Sequence, residues 1–258
     1  MRIQLGLKAW STNNLLIYEA KEAFHRGVLD YVEVFAVPGS YGSTWQSWAA
    51  SGLPCVIHAP HSAAGLNFSL KEMESANKGL ARESLRFADA LKSDKVIFHS
   101  GTRGTIDETI RQMRLVHDSR MIIENKPFRG LDGSDCVGST PAEIKKAMEA
   151  LGIRFCLDFG HAIAASISFG QPWKKLVSQF MELKPVMFHL TDGDMSSELD
   201  HHDQYGMGSF PLSEIIKFLP SGALVTNEAK RENMDSVKEY IEDRRRIESL
   251  LDNGRPSC

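Results

Sequence analysis

Short apolar runs that end on ionisable residues, separated by helix-length amphipathic segments, recur about eight times along this chain. No other feature restricts its fold as much. The runs fall at residues 3–7, 31–35, 55–57, 95–98, 121–123, 154–157, 186–188 and 223–226. Strands that are apolar throughout, rather than alternating, belong to parallel sheets covered on both faces. Helical spacing is seen at 13–26, 71–91, in a stretch reaching about residue 183 that is broken near 170–172, at 211–219 and at 235–251. Ser69 with Glu72 and Thr105 with Glu108 read as capping boxes, and Thr140, Pro141 and Glu143 open a further helix with proline at its favoured first position. The Gly/Ser/Trp-rich stretch 38–48 reads as a loop holding at most a short helix. Eight β–α rounds in 258 residues are the pattern of a (β/α)8 TIM barrel, with 1–258 as a single domain. An open doubly wound sheet is the alternative, but it calls for a glycine-rich phosphate turn after the first strand, and 6–14 holds none.

A hydrophobic share of 42% is ample for one core. The net charge of −3 offers no general basic field for nucleic acid, although bound cations would add positive charge that this count omits. Cys55, Cys136, Cys156 and Cys258 show no CxxC spacing, so they read as neither metal ligands nor a disulfide framework. Cys55 and Cys156 read as buried small hydrophobes in a reducing setting. The opening MRIQLGLKAW lacks the apolar core of a signal peptide, and no run is long enough to span a bilayer. A soluble cytoplasmic protein with no membrane association is expected, with a frayed tail at 253–258.

The chemistry lies in position. His58, His99, Glu124, Asp158, His189 and Glu228 each fall at or just past the C-terminal end of strands three to eight. In a barrel those ends ring one mouth. His161, three residues after Asp158, can turn back into the same mouth, and Asp200 and His202 can grip one ion from the loop after strand seven. Taken singly, each has a plainer reading as a hydrogen-bonded histidine, a helix cap or the partner of a lysine such as Lys126 or Lys230. Taken together, so many ionisable groups would repel and lose solvation unless cations neutralise them. Imidazole and carboxylate are the ligands that zinc or manganese takes. Asp192, Asp194 and Asp203 of the same loop read as solvated, or as hydrogen-bond partners of the ligands.

The segments IHAP (57–60) with LNFSL after it, IFHSG (97–101), IIEN (122–125) and CLDFGHA (156–162) carry a family likeness, continued by HLTD (189–192), DHHDQYGMG (200–208) and NEAK (227–230). In these the chain resembles endonuclease IV, the second family of apurinic/apyrimidinic endonucleases, within the xylose isomerase-like barrel superfamily. The resemblance implies a site of up to three divalent metals, zinc first and manganese second. His58 and His99 would hold one ion, with Glu124 bridging to a second that Asp158, His189 and Glu228 complete. His161, Asp200 and His202 would hold the third. It further implies hydrolysis of a phosphodiester, a metal-bound hydroxide attacking phosphorus at abasic or damaged sites in DNA. Glu124 and Glu228 are then the catalytic carboxylates, Glu124 fixing the metal separation and Glu228 positioning the hydroxide.

Glu124, Asp158, His189 and Glu228 are shared with sugar isomerases and epimerases of that superfamily. A metal-dependent isomerase or epimerase acting on a small sugar or sugar phosphate is therefore the alternative, and Glu33 at the end of strand two favours it. The chain also departs from the endonuclease pattern. His61 stands where tyrosine usually follows HAP, GLKAWS (6–11) places Lys8 where GxHxS has histidine, and 37–48 matches no DNA-contacting loop. Lys8, Trp10, His61, Arg103 and Lys126 are the candidate substrate contacts. Lys8, Arg103, Lys126 and Arg129 read either as a small basic rim or as ordinary surface charge. Trp10, Phe35, Tyr41, Trp45 and Trp48 are placed either to stack on a base or sugar or to pack against the barrel. The sequence carries no signal for an oligomeric state.

Overall fold

The computed structural model describes residues 2–253. The chain begins with β1 (Gln4–Trp10), α1 (Leu16–His25), β2 (Tyr31–Phe35), α2 (Tyr41–Ser51), β3 (Cys55–His58), α3 (Glu74–Ala90) and β4 (Val96–His99). It continues through β5 (Gly101–Thr102), α4 (Ile106–Arg114), β6 (Met121–Glu124), β7 (Cys136–Val137), α5 (Pro141–Leu151), β8 (Arg154–Asp158) and α6 (Phe159–Ser168). The last elements are α7 (Trp173–Met181), β9 (Met187–Leu190), α8 (Leu212–Ile215), β10 (Leu224–Asn227) and α9 (Lys238–Asn253). Eight strands pair in parallel and close in the order β1–β2–β3–β4–β6–β8–β9–β10, the TIM barrel that the β–α alternation predicts. β5 and β7 stand apart as a short antiparallel pair, Gly101 opposite Val137, following the mouth ends of β4 and β6.

Because strand side chains alternate, residues two apart face the same side. Tyr31, Val56, Ile97, Ile122, Cys156 and Met187 meet in a separate apolar cluster, the plug inside the barrel. Two residues further along each strand stand Glu33, His58, His99, Glu124, Asp158 and His189, the polar layer above that plug. The intervening side chains, such as Phe98, Ile123 and Leu157, face outward into the core shared with the helices. There each fully buried large side chain contributes about 2–3 kcal/mol. Glycine has a definite task in β1, where a Cβ on Gly6 would lie 2.3 Å from the Tyr31 ring.

Several local readings change. Residues 38–48 do not form a loop with a short helix: α2 runs eleven residues, Tyr41–Ser51. Its buried Thr44, Trp48 and Ser51 follow helical spacing, and Gly52 ends it in the left-handed conformation (φ 70°). The Ser69/Glu72 capping box does not form. The Ser69 hydroxyl, with its one hydrogen, lies between two other acceptors, Asn67 Oδ1 (2.8 Å) and Thr102 O (2.7 Å), and a 3-10 turn over Lys71–Met73 leads into α3. The helix expected at 211–219 is α8 followed by a 3-10 turn, Ile216–Phe218. Cys156 is buried as expected, but Cys55 is only partly so; Cys258 and most of the tail lie outside the described residues. No helix among the described residues is long and apolar enough to cross a membrane.

Other readings stand. The break near 170–172 separates α6 from α7 at Pro172, but only half of the Thr105/Glu108 capping box forms: Thr105 accepts from the Glu108 amide, while the Glu108 carboxylate turns to Arg111 and Gln112. Thr140 and Glu143 form a complete capping box on α5. Thr140→Ala is expected to destabilise the protein by about 1 kcal/mol, measured by chemical denaturation, with the site untouched.

Candidate metal centre

Register brings the polar layer together. His99 lies opposite Glu124 across β4 and β6, and Asp158 lies opposite His189 across β8 and β9. Glu124 is the hub. Its Oε2 lies 3.2 Å from His58 Nε2 and 3.0 Å from His99 Nε2. Its Oε1 lies 3.2 Å from His161 Nδ1 and 3.4 Å from His189 Nδ1. On the other side Asp200 Oδ2 stands 3.3 Å from His161 Nε2 and 2.9 Å from His202 Nε2. Glu228 places Oε1 3.0 Å from His189 Nδ1 and Oε2 3.7 Å from His202 Nδ1.

Neighbouring groups aim the imidazoles. His58 Nδ1 donates to Ala59 O (2.7 Å), His161 Nδ1 to Asn125 O (2.8 Å) and His189 Nε2 to Glu33 Oε2 (3.0 Å). A ring nitrogen that donates outward leaves the other with its lone pair, here turned to the carboxylates, as in metal-ligating histidines. Asn125 braces the same layer, accepting from the Asp158 amide (2.8 Å) and donating to Asp158 O (2.9 Å).

These groups lack partners they would otherwise need. Glu124 Oε1, Asp158 Oδ2, His189 Nδ1 and Asp200 Oδ2 are buried without a hydrogen bond. Such atoms are costly unless something charged meets them. Burial would raise the Glu124 carboxyl, but His99 and His189 outweigh it and hold it well below its ordinary value. Asp200 is likewise held low against burial by His202 and His161. Burial pushes Asp158 up to about 6, with His161 opposing and the carboxylates of Asp200, Glu124 and Glu228 adding to the rise. Burial lowers His161 and His202, yet Asp158 and Asp200 respectively overcome it, so both sit above the ordinary imidazole value. A divalent cation would displace those protons and satisfy the orphaned atoms, so the residues fit a metal.

Among the described residues, four sets of ligand atoms lie within 4.8 Å of one another: His58, His99 and Glu124; His161, Asp200 and His202; Glu124, Asp158 and His161; and Glu33, His58, His189 and Glu228. All nine ligands implied by the resemblance are thus in one mouth, and Glu33 joins them. In sequence Glu33 is visible only as an acid at a strand end. Its place beside His189, and its bond from Thr226 Oγ1 (2.6 Å), come from barrel closure.

The mouth opens into a cavity of about 600 Å³ lined by Lys8, Trp10, His61, Arg103 and Lys126, with Phe35 and Arg129 also on its wall. Their charges are not equivalent. Arg103 pairs with Asp132 (2.5 Å), across to the loop between β6 and β7, and Arg129 with Asp135 inside that loop, so both already have a carboxylate partner. Lys8 is held by Glu228 and Glu33. Lys126 lies on the wall with no carboxylate partner among the described residues. Of the aromatics, Trp10 and Phe35 face the cavity. Tyr41 and Trp45 stack on each other and Trp48 is buried, its Nε1 donating to Ser11 O (2.8 Å), so these three pack against the barrel.

A closed parallel barrel whose C-terminal mouth carries a histidine–carboxylate cluster able to hold metal ions is the architecture of an enzyme superfamily. The chain belongs to the xylose isomerase-like TIM barrel family, whose model matches residues 38–250, and the endonuclease IV-like resemblance is borne out. A probable endonuclease 4 from Thermoplasma volcanium is 24% identical over an alignment of 167 residues that covers 59% of this chain and 58% of that relative's length. Endonuclease IV from Thermus thermophilus superposes with a TM-score of 0.71 at 20% identity, covering 97% of this chain and 100% of that one. A D-tagatose 3-epimerase-like protein superposes with a TM-score of 0.70 at 15% identity, covering 96% and 97%. At these identities the two structures share the fold and leave the reaction open.

Proposed function

We propose that this protein is a metal-dependent phosphodiester hydrolase of the endonuclease IV type. One observation carries the reading. His58 and His99 converge on Glu124, and His161 and His202 converge on Asp200, in the same mouth as Asp158, His189 and Glu228. A one-metal sugar isomerase uses Glu124, Asp158, His189 and Glu228 and leaves the other five without a task. Divalent cations bound there, zinc or manganese by the donor set, would activate water and stabilise charge on the phosphate oxygens. Glu124 holds the two histidine groups at fixed separation. Glu228 has one oxygen turned to His189 and the other to His202, which suits it to orient the attacking water and take its proton. Lys126, on the cavity wall with no carboxylate partner among the described residues, is placed to hold a phosphate oxygen. His61 and the half-exposed Trp10 line the approach, Trp10 offering a stacking face for a base or sugar. A cavity of about 600 Å³ admits one nucleotide unit rather than a stacked duplex, so DNA would present an abasic or damaged residue turned out of the helix.

Incubation of metal-reconstituted protein with a duplex carrying one abasic site is expected to give strand incision at that site. Intact duplex with fully loaded protein would remove DNA as the substrate. A second reading then takes its place, an isomerase or epimerase of a small sugar or sugar phosphate. Lys8 and Glu33 beside Glu228, and the size of the cavity, favour it. Exchange of a sugar C–H for solvent deuterium, with Glu124 and Glu228 as the proton-transfer bases, is its distinguishing result.

A further inference from the structure

The nine candidate ligands share their mouth with an ammonium group. Barrel closure puts Lys8 of β1 opposite Glu33 of β2, while Leu7 pairs with Asn227, the residue before Glu228. Lys8 therefore projects between two carboxylates as a consequence of register. Its Nζ lies 3.3 Å from Glu33 Oε1 and contacts Glu228 Oε1 directly. Glu228 Oε1 lies 3.0 Å from His189 Nδ1, and His189 Nε2 lies 3.0 Å from Glu33 Oε2. Lys8, Glu33, His189 and Glu228 thus form a closed ring of alternating positive or donor groups and carboxylates.

That ring occupies the Glu228 side of the centre. Glu228 and His189 group with Glu33 and His58, and Asp158 groups with Glu124 and His161, while His189 Nδ1 also lies 3.4 Å from Glu124 Oε1 and 3.8 Å from Asp158 Oδ2. The two outer sets, His58/His99/Glu124 and His161/Asp200/His202, have no lysine or arginine in ion-pair contact among the described residues. The set around Glu228 already holds a cation.

We propose that Lys8 replaces one metal ion: the centre loads two divalent cations, on the two outer sets, and the Lys8 ammonium supplies the positive charge at Glu228. This rests on the reading of the mouth as a metal centre. The charges support it. Glu33, Glu124, Asp158, Asp200 and Glu228 are five buried carboxylates, which two divalent ions and one ammonium balance. A third divalent ion beside Lys8 would leave excess positive charge in a site with little water to screen it.

The test counts zinc ions on the intact protein by native mass spectrometry during titration of metal-free chains, comparing wild type with Lys8→Met and Lys8→His. Wild type is expected to saturate at two ions and both variants at three. The third ion should bind at least about 100-fold more tightly to the variants, since a like charge in contact has been removed. Three tightly held ions on wild type would overturn the proposal and leave the metal centre standing, whatever the variants do. Two ions on a folded Lys8→His chain would also overturn it. A wild type that takes up fewer than two ions overturns the metal-centre reading itself, and this proposal with it. Thermal melting of the metal-free variants checks that each count is made on folded protein.

Discussion

Glu124→Gln is expected to lower kcat/KM by about 1000-fold or more while the barrel stays folded. The carboxylate is fully buried and meets four imidazoles, His58 and His99 through one oxygen, His161 and His189 through the other. It is shared by two of the sets of ligand atoms. Glutamine keeps the volume but offers one neutral acceptor and an amide whose hydrogens occupy the place where a cation would be held. Both the bridge and its charge are lost. The metal-free fold loses the attraction of His99 and His189 that holds this carboxyl ionised, so its melting temperature is expected to fall while the isosteric side chain keeps the barrel packed. The signature is therefore a contrast. Wild type gains melting temperature on metal addition by preferential binding to the native state, whereas Glu124→Gln gains much less. Melting curves with and without metal, beside incision rates on the abasic duplex, read both effects. Wild-type turnover in the variant would remove Glu124 from the reaction.

Much of this centre is legible in the sequence because a strand has period two. Ile97 and His99, Ile122 and Glu124, Cys156 and Asp158, and Met187 and His189 each read as an apolar residue followed two positions later by a ligand. The structure places the first of each pair in the barrel plug and the second in the mouth. What depends on closure is hidden. That Lys8 reaches Glu33 and Glu228 follows from β1 pairing with both β2 and β10, a relation between residues 220 positions apart. Other features hide for local reasons. Gly42 and the serines of 40–51 mask the period of α2, whose buried face rests on Thr44 and Trp48. β5 and β7 are two residues each, too short to leave a pattern. Ser69 has the spacing of a cap, but Asn67 and Thr102 capture its hydroxyl first.

Asp192→Ala is expected to destabilise the protein by about 4 kcal/mol and to abolish ion binding at His161, Asp200 and His202. In sequence Asp192 is one acid among several on a polar loop, readable as solvated. In the structure it is buried. Its Oδ1 accepts from the amides of Gly193 (2.8 Å) and Phe210 (3.0 Å), and its Oδ2 from that of Gly206 (2.8 Å). Its own amide and carbonyl pair with Asp203 (3.1 and 3.0 Å). One side chain thus ties together a loop of which the ends, at 193 and 210, are 17 positions apart, and Asp200 and His202 ride on that loop. Gly208 is part of the same construction, since a Cβ there would lie 2.4 Å from Gly193 O and 2.5 Å from Asp192 Oδ1. His202 sits in the left-handed region (φ 52°), a conformation that persists only where its surroundings over-determine it. Its carbonyl accepts from the Lys230 amide (2.8 Å), so the loop is anchored to the end of β10 as well. Alanine strands three amides at once, and the loop that presents Asp200 relaxes. Asp194→Ala is the control: its carboxylate is exposed and caps only Ser196, so a cost below about 1 kcal/mol and an unchanged ion count are expected. Equal effects from the two variants, in denaturation and in ion counting, would show that Asp192 has no special hold on the loop.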